Sequence, residues 1–533
     1  MDVFILAAGK GKRMANTLWP EVPKCLLPYK GKAILSHVID SFLSWNSPPK
    51  WLSGPPVFYI AVPVGDSLIC SYVRAAYRTT LNVVFVEVQD TGAGPLNSFM
   101  ELAMFRDTND PFVVTVSDCV MPLASQSSLP EGNYLGCAKI PDELQTDYLN
   151  MVFRLISYTE FVEKARVRPG VESFAWSGLA LIADAKEYQQ HVSVLLDEHT
   201  NPASEVSYAE LFSTFRASRR TQSLKMLYQD FLDLGTSDKY NAATKEQNVW
   251  AKGDQITYTE TATGRVVKYF KDAEQASGFL GRGHKLSEVL YGPKGLIQDH
   301  NFVSYARAPG ESLRTVGTKQ LTDLLNDLYY CLWRSPSDSR WVLLQAHGPK
   351  VKPLSLFADK TRERLGQFRT NTGTNIDSWL TLLDDPKWTT FSHTKLGRIH
   401  GDLTLDNILY DPVSENYTFI DWRPSTCAEP GSAYGDVYYD LAKLCLSLYI
   451  DLAATRELGT GQVVVLADRN LLLVFQAWCS LNTFGDVFDY DTIVRQTVLL
   501  MASMAGVHSE PMASGFYDLS LKWAHHIDAG YPL

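Results

Sequence analysis

Short apolar runs punctuate the chain up to about residue 240: Val3–Leu6, Val57–Val62, Val83–Val88, Phe112–Val116 and Leu179–Ala183. Polar, turn-rich or helix-like stretches separate them. Runs this short and this uniformly apolar predict strands covered on both faces, as in a mostly parallel α/β sheet with helices between the strands. Ligands of such sheets bind beyond the carboxyl ends of the strands. The polar stretch NAATKEQN, 241–248, reads as a linker, and the pattern changes after it. Residues 249–270 read as antiparallel strands around the turn Thr263, Gly264, Arg265, and helical periodicity dominates from Lys319 onward. The patterning therefore predicts an α/β chain with domains at 1–240 and 249–533, and shows no internal repeat or low-complexity tract.

Composition narrows the classes of function. At 533 residues the chain exceeds one ordinary core. Its 49 Lys and Arg against 59 Asp and Glu make it acidic, which disfavours duplex nucleic acid or an anionic membrane as the main partner. Eight cysteines are scattered without C-x-x-C pairing, the pattern of reduced thiols in a cytoplasmic protein. The first apolar run breaks at Gly9 and Lys10, too soon for a signal peptide, and no later stretch reads as a membrane span. Oligomeric state is left open, a homo-oligomer included.

Directly behind the first run stands LAAGKGKRM, residues 6–14. A strand followed by glycines lets backbone N–H groups approach an anion, and Lys10, Lys12 and Arg13 add positive charge. Downstream, Lys24 follows a loop stiffened by Pro20 and Pro23, as suits a fixed phosphate. It is expected to be an exposed lysine without a packing role. This set resembles the nucleotidyltransferases that make sugar nucleotides and CDP-choline, with their L-A-A-G-x-G-x-R-[LM] signature and following P-K pair. The resemblance extends over most of residues 1–240 and implies a Rossmann-like mixed sheet. It also implies that Gly9, Gly11 and Arg13 cradle a triphosphate and that Lys24 meets its α-phosphate. VQDTGAG, 88–94, resembles the base-binding segment, so that Gln89, Thr91 and Gly92 would receive the base of CTP or UTP. FVEK, 161–164, resembles the segment whose glutamate and lysine, here Glu163 and Lys164, hold the second substrate.

Two carboxylates add a metal site. Asp118 follows the run PFVVTVS, and Asp233 lies in FLDLGTSDKY, which resembles the family's closing D-x-G-T motif. Singly, a helix cap and a turn are the plainer readings. Together with the first motif they suggest Mg2+ bridging the phosphates and a leaving pyrophosphate. No histidine or cysteine base is needed, because the attacking phosphate oxygen is already ionised.

The second half supplies what a hydroxyl requires. RIHGDLTLDNILY, 398–410, and YTFIDWR, 417–423, place Asp402 as a proton acceptor, with Asn407 and Asp421 as Mg2+ ligands. Lys268 in RVVKYF would grip the phosphates of ATP. The set resembles the choline-kinase and aminoglycoside-phosphotransferase family across roughly 249–533, which implies a two-lobed, protein-kinase-like domain. By that resemblance Glu274 is a candidate partner of Lys268, and FVSYARAPGESL, 302–313, resembles the adenine-binding hinge. Two departures stand out: no glycine-rich loop precedes Lys268, and Arg423 stands where choline-using relatives carry an acidic or neutral residue. Asp436 and Asp440 could steady the catalytic loop, contact substrate, or cap a helix. Trp422, Tyr438 and Tyr439 read as a cation cage or as core.

The expectation is a bifunctional enzyme. Its kinase half phosphorylates a small hydroxyl compound, a sugar or sugar-like alcohol, and its other half couples the phosphate ester to a nucleotide for surface glycan synthesis. The alternatives are a pair of activities making CDP-choline, an antibiotic phosphotransferase, and a scaffold with one dead half.

Overall fold

The computed structural model describes residues 1–9, 19–52, 54–89, 98–99, 102, 109–123, 126–139, 152–153, 174–198, 225–228, 230–244, 251–252, 255–314, 316–334, 355–389, 395–423, 433–466, 468–481 and 487–530. Contacts divide the chain into two compact units, Met1–Tyr269 with Asp299–Ser304, and Phe270–Gln298 with Tyr305–Leu533.

The first unit is built on a sheet whose strands run, in spatial order, Lys225–Tyr228, Tyr134–Lys139, Phe174–Ile182, Phe112–Val116, Asp2–Leu6, Val57–Pro63 and Val83–Val88. Asp2–Leu6 lies between two parallel neighbours, with Leu6 opposite Val116 on one side and Ala61 on the other. Each predicted run is a strand. The sheet is nonetheless mixed, because Phe174–Ile182 runs antiparallel to both of its neighbours. That strand carries a register shift between Trp176 and Ala180, and Gly178 sits in it at φ +83°, where a Cβ would strike Val116 Cγ2 at 2.3 Å. Only glycine meets both demands. Below the sheet the rings of Phe4, Phe99, Phe112 and Tyr188 pack at centroid separations of 4.7–5.8 Å. Burying each such ring contributes roughly 1.5–3 kcal/mol.

The polar stretch read as a linker begins inside a helix, Ser237–Thr244. Tyr240 explains the difference: it is buried and donates from its hydroxyl to Pro28 O at 2.7 Å, holding the helix to the unit. The strands Gln255–Glu260 and, as far as Tyr269, Arg265–Phe270 also join this unit by contact. They cover the helix Leu68–Tyr77, seven of whose residues are buried. Tyr258 donates to Leu26 O at 2.7 Å, Thr263 to Ala76 O at 2.9 Å, and Arg265 to Ser304 Oγ at 2.8 Å. At the centre of this packing the hydroxyl of Tyr72 donates to the buried carboxyl of Glu260 and is bonded to Ser36 Oγ at 2.7 Å.

The second unit is mainly helical, as the periodicity from Lys319 predicts. Val437–Tyr449 packs on Tyr490–Met504, and Ser355–Thr372 and Met512–Asp528 pack on the latter in turn. Trp333, Trp379 and Trp388 are fully buried. Among the described residues, no helix is long and apolar enough to cross a membrane.

Glu260 makes the first unit's stability pH-dependent. Burial, partly offset by the hydrogen bond from Tyr72, raises its pKa from 4.5 to about 7. The folded state therefore binds the proton more tightly than the unfolded chain does. The associated stability is complete below pH 4.5 and is lost as pH rises through about 7. Chemical denaturation should show wild type losing stability relative to Glu260→Gln by up to about 1.4 kcal/mol per pH unit across this window. A flat difference profile would contradict the assignment.

Candidate active sites

The first site lies where the central strands end. After Leu6 the chain continues through Ala7 and Ala8 to Gly9, and after Val116, opposite Leu6, it continues through Ser117 to Asp118. Pro23, in an extended conformation, leads into the short helical turn Lys24–Leu26, in which Cys25 and Leu26 are buried. The anchored turn points Lys24 back across the strand ends. Its Nζ meets Asp118 Oδ2 at 2.5 Å, and a Cβ on Gly9 would lie 3.8 Å from Lys24 Cε.

Asp233 arrives by strand pairing. Leu232–Asp233 runs antiparallel to Cys119–Val120, placing Asp233 opposite Cys119, and Leu234 N donates to Asp118 O at 2.9 Å. A Cβ on Gly235 would lie 2.7 Å from Asp118 Oδ2 and 3.0 Å from Asp233 Oδ1, so that glycine's missing side chain is the space the two carboxylates share. Asp233 accepts from Gly235 N at 2.8 Å and pairs with Lys239. Burial first, then the charges of Asp118 and Asp233, push the Cys119 thiol well above its usual range.

The site thus gathers Gly9, Lys24, Asp118 and Asp233. Gln89 follows the strand Val83–Val88 and is exposed. Gly11, Arg13, Thr91, Gly92, Glu163 and Lys164 lie outside the described residues. Lys24 departs from expectation: its side chain is only 17% exposed and is held in an ion pair, because two adjacent carboxylates need positive partners once water is removed. Lys239 went unnoticed in the sequence, although it stands six residues beyond Asp233 in a helix that opens at Ser237.

The second site is assembled around backbone turns. The strand Leu396–Arg398 pairs with Tyr434–Asp436 and leads into His400, Gly401 and Asp402. Asp440, wholly buried, accepts from His400 N at 2.7 Å and from Gly401 N at 2.8 Å. Burial raises its pKa to about 6 against the opposing effect of those two bonds. Arg282, also wholly buried, donates to Ile399 O and, at 3.0 Å, to Arg423 O, tying the loop before Asp402 to the segment after Asp421. His400 has no exposure, and burial lowers its pKa to about 4, so its ring is neutral at pH 7.

Asn407 Nδ2 donates to Asp402 O at 2.8 Å, and Asn407 O accepts from Ile420 N at 2.9 Å. Asp402, Asn407 and the approach to Asp421 are thereby fixed to one another. Asp421 itself has φ +61°, a left-handed conformation rare for a side-chain-bearing residue and concentrated at functional sites. Lys443 pairs with Asp402 Oδ1 at 2.8 Å.

Lys360 and Arg364 stand one turn apart on Ser355–Thr372. Burial, then Arg423, Arg364 and Lys443, lower the pKa of Lys360 to about 6, and burial followed by Arg423 lowers that of Arg364. Sequence carried no signal for this pair, since i, i+4 cations are usually a solvated helix face. Lys443 sits three residues past Asp440, a spacing legible only once the helix Val437–Tyr449 is known.

Lys268 lies buried on the strand Arg265–Phe270 in the first unit, whereas Glu274 and the segment from Tyr305 to Leu313 fall in the second. Asp436 caps its helix, accepting from Tyr438 N at 3.1 Å. The aromatics are packing residues. Trp422 is buried, stacks on Phe279 at 4.5 Å and donates to Phe279 O. Tyr438 is buried beside Phe488, and the ring of Tyr439 lies tilted against Phe357 at 4.8 Å.

Comparison with known proteins agrees with this division. Residues 3–130 match the family described as MobA-like NTP transferase domain, and residues 334–471 match the phosphotransferase enzyme family. The chain joins an NTP transferase domain to a phosphotransferase domain. The first match contains Gly9, Lys24 and Asp118, and the second contains Asp402, Asn407 and Asp421. Among curated relatives, the bifunctional protein GlmU of Cupriavidus taiwanensis is 31% identical over 130 residues, 24% of each chain. That of Nitrosomonas europaea is 60% identical over 40 residues, 8% of each chain. The chain thus spans about a quarter of the length of the first curated relatives it matches. A solved UTP-bound UGPase from Acinetobacter baumannii superimposes with a TM-score of 0.36 at 13% identity, covering 47% of this chain and 94% of that one.

Lys24→Ala removes a positive partner of the buried Asp118, which shares its space with a second carboxylate, Asp233. Its thermal midpoint should fall by the equivalent of about 1–3 kcal/mol, and Lys24→Arg should recover part of the loss. An unchanged midpoint for the alanine variant would mean that the ion pair does not form in solution.

Proposed function

We propose that the two domains catalyse consecutive reactions. In the first, the hydroxyl oxygen of a sugar or sugar-like alcohol attacks the γ-phosphorus of ATP. The bond to the β,γ-bridging oxygen breaks, ADP leaves, and the hydroxyl proton passes to Asp402. In the second, an oxygen of the new phosphate ester attacks the α-phosphorus of CTP or UTP and pyrophosphate leaves. Domains at 1–240 and 249–533, a cytoplasmic setting and a product that serves as an activated donor for surface glycan assembly belong to the same reading. One observation carries it: a lysine–carboxylate pair, Lys24 with Asp118, stands at the strand ends of the first unit and another, Lys443 with Asp402, in the loop of the second, each within a stretch that matches a transferase domain.

Lys24 supports the second step as a cation at the strand-end site, able to exchange Asp118 for an α-phosphate. Gln89 supports a pyrimidine base through an amide that can both donate and accept. The oxygen-only donor sets fit Mg2+. Asp118 and Asp233 border one shared space, and Asn407 is bonded into the loop of Asp402. Among the described residues no three or more His, Cys, Asp or Glu side chains gather to hold a metal ion. Magnesium usually binds through one or two carboxylates together with substrate phosphates. When bound, the ion would supply charge neutralisation for the phosphates. The seven described cysteines are all free thiols, which supports a reducing compartment.

Asp402→Asn should stop conversion of the unphosphorylated substrate, and added phosphate ester should rescue it. Asp118→Asn should consume ATP and accumulate the ester, with no nucleotide conjugate even when ester is added. Chromatography of substrate, ester and conjugate reads both outcomes. Conjugate formed from unphosphorylated substrate by Asp402→Asn would break the sequence of steps.

A further inference from the structure

The two carboxylates at the strand ends of the first unit are each met by a lysine from a different element. Asp118 pairs with Lys24 of the turn Lys24–Leu26 at 2.5 Å. Asp233 pairs through Oδ2 with Lys239 of the helix Ser237–Thr244, and its Oδ1 accepts from Gly235 N at 2.8 Å. Both oxygens of Asp233 are therefore engaged by donors of its own chain. The pair is largely withdrawn from water, with side-chain exposures of 26% for Lys239 and 13% for Asp233.

One scaffold sets both lysines. Tyr240, next to Lys239, is buried and donates to Pro28 O at 2.7 Å, while Tyr258 donates to Leu26 O at 2.7 Å, so the helix of Lys239 is fastened just beyond the turn of Lys24. Neither helix nor strand depends on the Lys239 ammonium for its place. Tyr240 N bonds to Thr236 O at 2.9 Å, and Leu232–Asp233 is fixed by pairing with Cys119–Val120. The ammonium answers the charge of Asp233 alone among these tasks.

A divalent ion brought to the space that Asp118 and Asp233 border at Gly235 meets this arrangement. A carboxylate that ligated the ion while still paired with an ammonium would set two cations side by side, in a place with little water to screen them. Ion and ammonium therefore compete for Asp233. A triphosphate ends the competition, because its oxygens complete the shell of Mg2+ and also offer the displaced ammonium an anion.

We propose that Lys239 withholds Asp233 from divalent ions until a nucleoside triphosphate takes over its ammonium, so that metal and nucleotide enter the transferase site together. The proposal rests on the reading of Asp118 and Asp233 as Mg2+ ligands, and it adds to that reading a residue and a condition for binding. By linkage, each of the two then raises the affinity for the other by the same factor.

Mn2+ is the probe, followed by electron paramagnetic resonance as it is titrated into the full chain alone, with CTP and with UTP. Binding at this site is recognised as the part that Asp233→Asn abolishes, which separates it from ions held by the second unit or by free nucleotide. Wild type should show no such binding without nucleotide and acquire it with a triphosphate. Lys239→Met and Lys239→Gln should bind Mn2+ without nucleotide about tenfold or more tighter than wild type, and adding Asp233→Asn to either should abolish the gain. Lys239→Gln keeps a neutral donor for Asp233, and thermal midpoints check that both variants fold.

Wild type that binds Mn2+ through Asp233 without nucleotide, as tightly as the Lys239 variants do, would overturn the proposal and leave the metal reading standing. So would variants that bind Mn2+ alone beside a wild type that gains no site with either triphosphate. Binding through Asp233 that is absent from every protein, with and without CTP or UTP, would overturn the metal reading and the proposal with it. Failure of both variants to fold would make the ion pair a structural one and overturn the proposal.

Discussion

A carboxylate taken out of water must be met by donors, and both units are organised around meeting that demand. In the first unit Asp118 is met by Lys24, and Asp233 by Lys239 and the Gly235 amide. In the second, Asp440 is met by two consecutive loop amides and Asp402 by Lys443. These pairings hold the chemistry-bearing groups at the ends of strands and loops whose own burial is apolar. Asp440 and Arg282 do no chemistry in this account. They hold the loop of Asp402 from behind, and a loop held by buried charge cannot relax without leaving that charge unmet.

Much of the fold was legible because burial on both faces of a central sheet requires uninterrupted apolar strands. Each predicted run, from Val3–Leu6 to Leu179–Ala183, is a strand of the sheet. Direction was not legible: nothing in SGLALI, residues 177–182, distinguishes an antiparallel strand, and only Gly178 hints at the bulge within it. Asp118, Asp233, Asp402 and Asn407 could be named because each sits in a motif of fixed spacing. Lys239, Lys443, Lys360 and Arg364 could not, since lysine and arginine are common on helices and their meaning comes from what the helix faces. The expectation of an exposed Lys24 fails, because sequence does not reveal that a carboxylate waits at 2.5 Å.

In the proposed sequence of reactions the phosphate made by one domain is the nucleophile used by the other. It is tested by supplying ATP labelled with heavy oxygen in its γ-phosphoryl group, together with unlabelled pyrimidine triphosphate and the acceptor, and weighing the products by mass spectrometry. Under consecutive transfer the nucleotide conjugate should retain every non-bridging heavy oxygen of that γ-phosphoryl group while pyrophosphate carries none. An unlabelled conjugate, or label in the pyrophosphate, would contradict it.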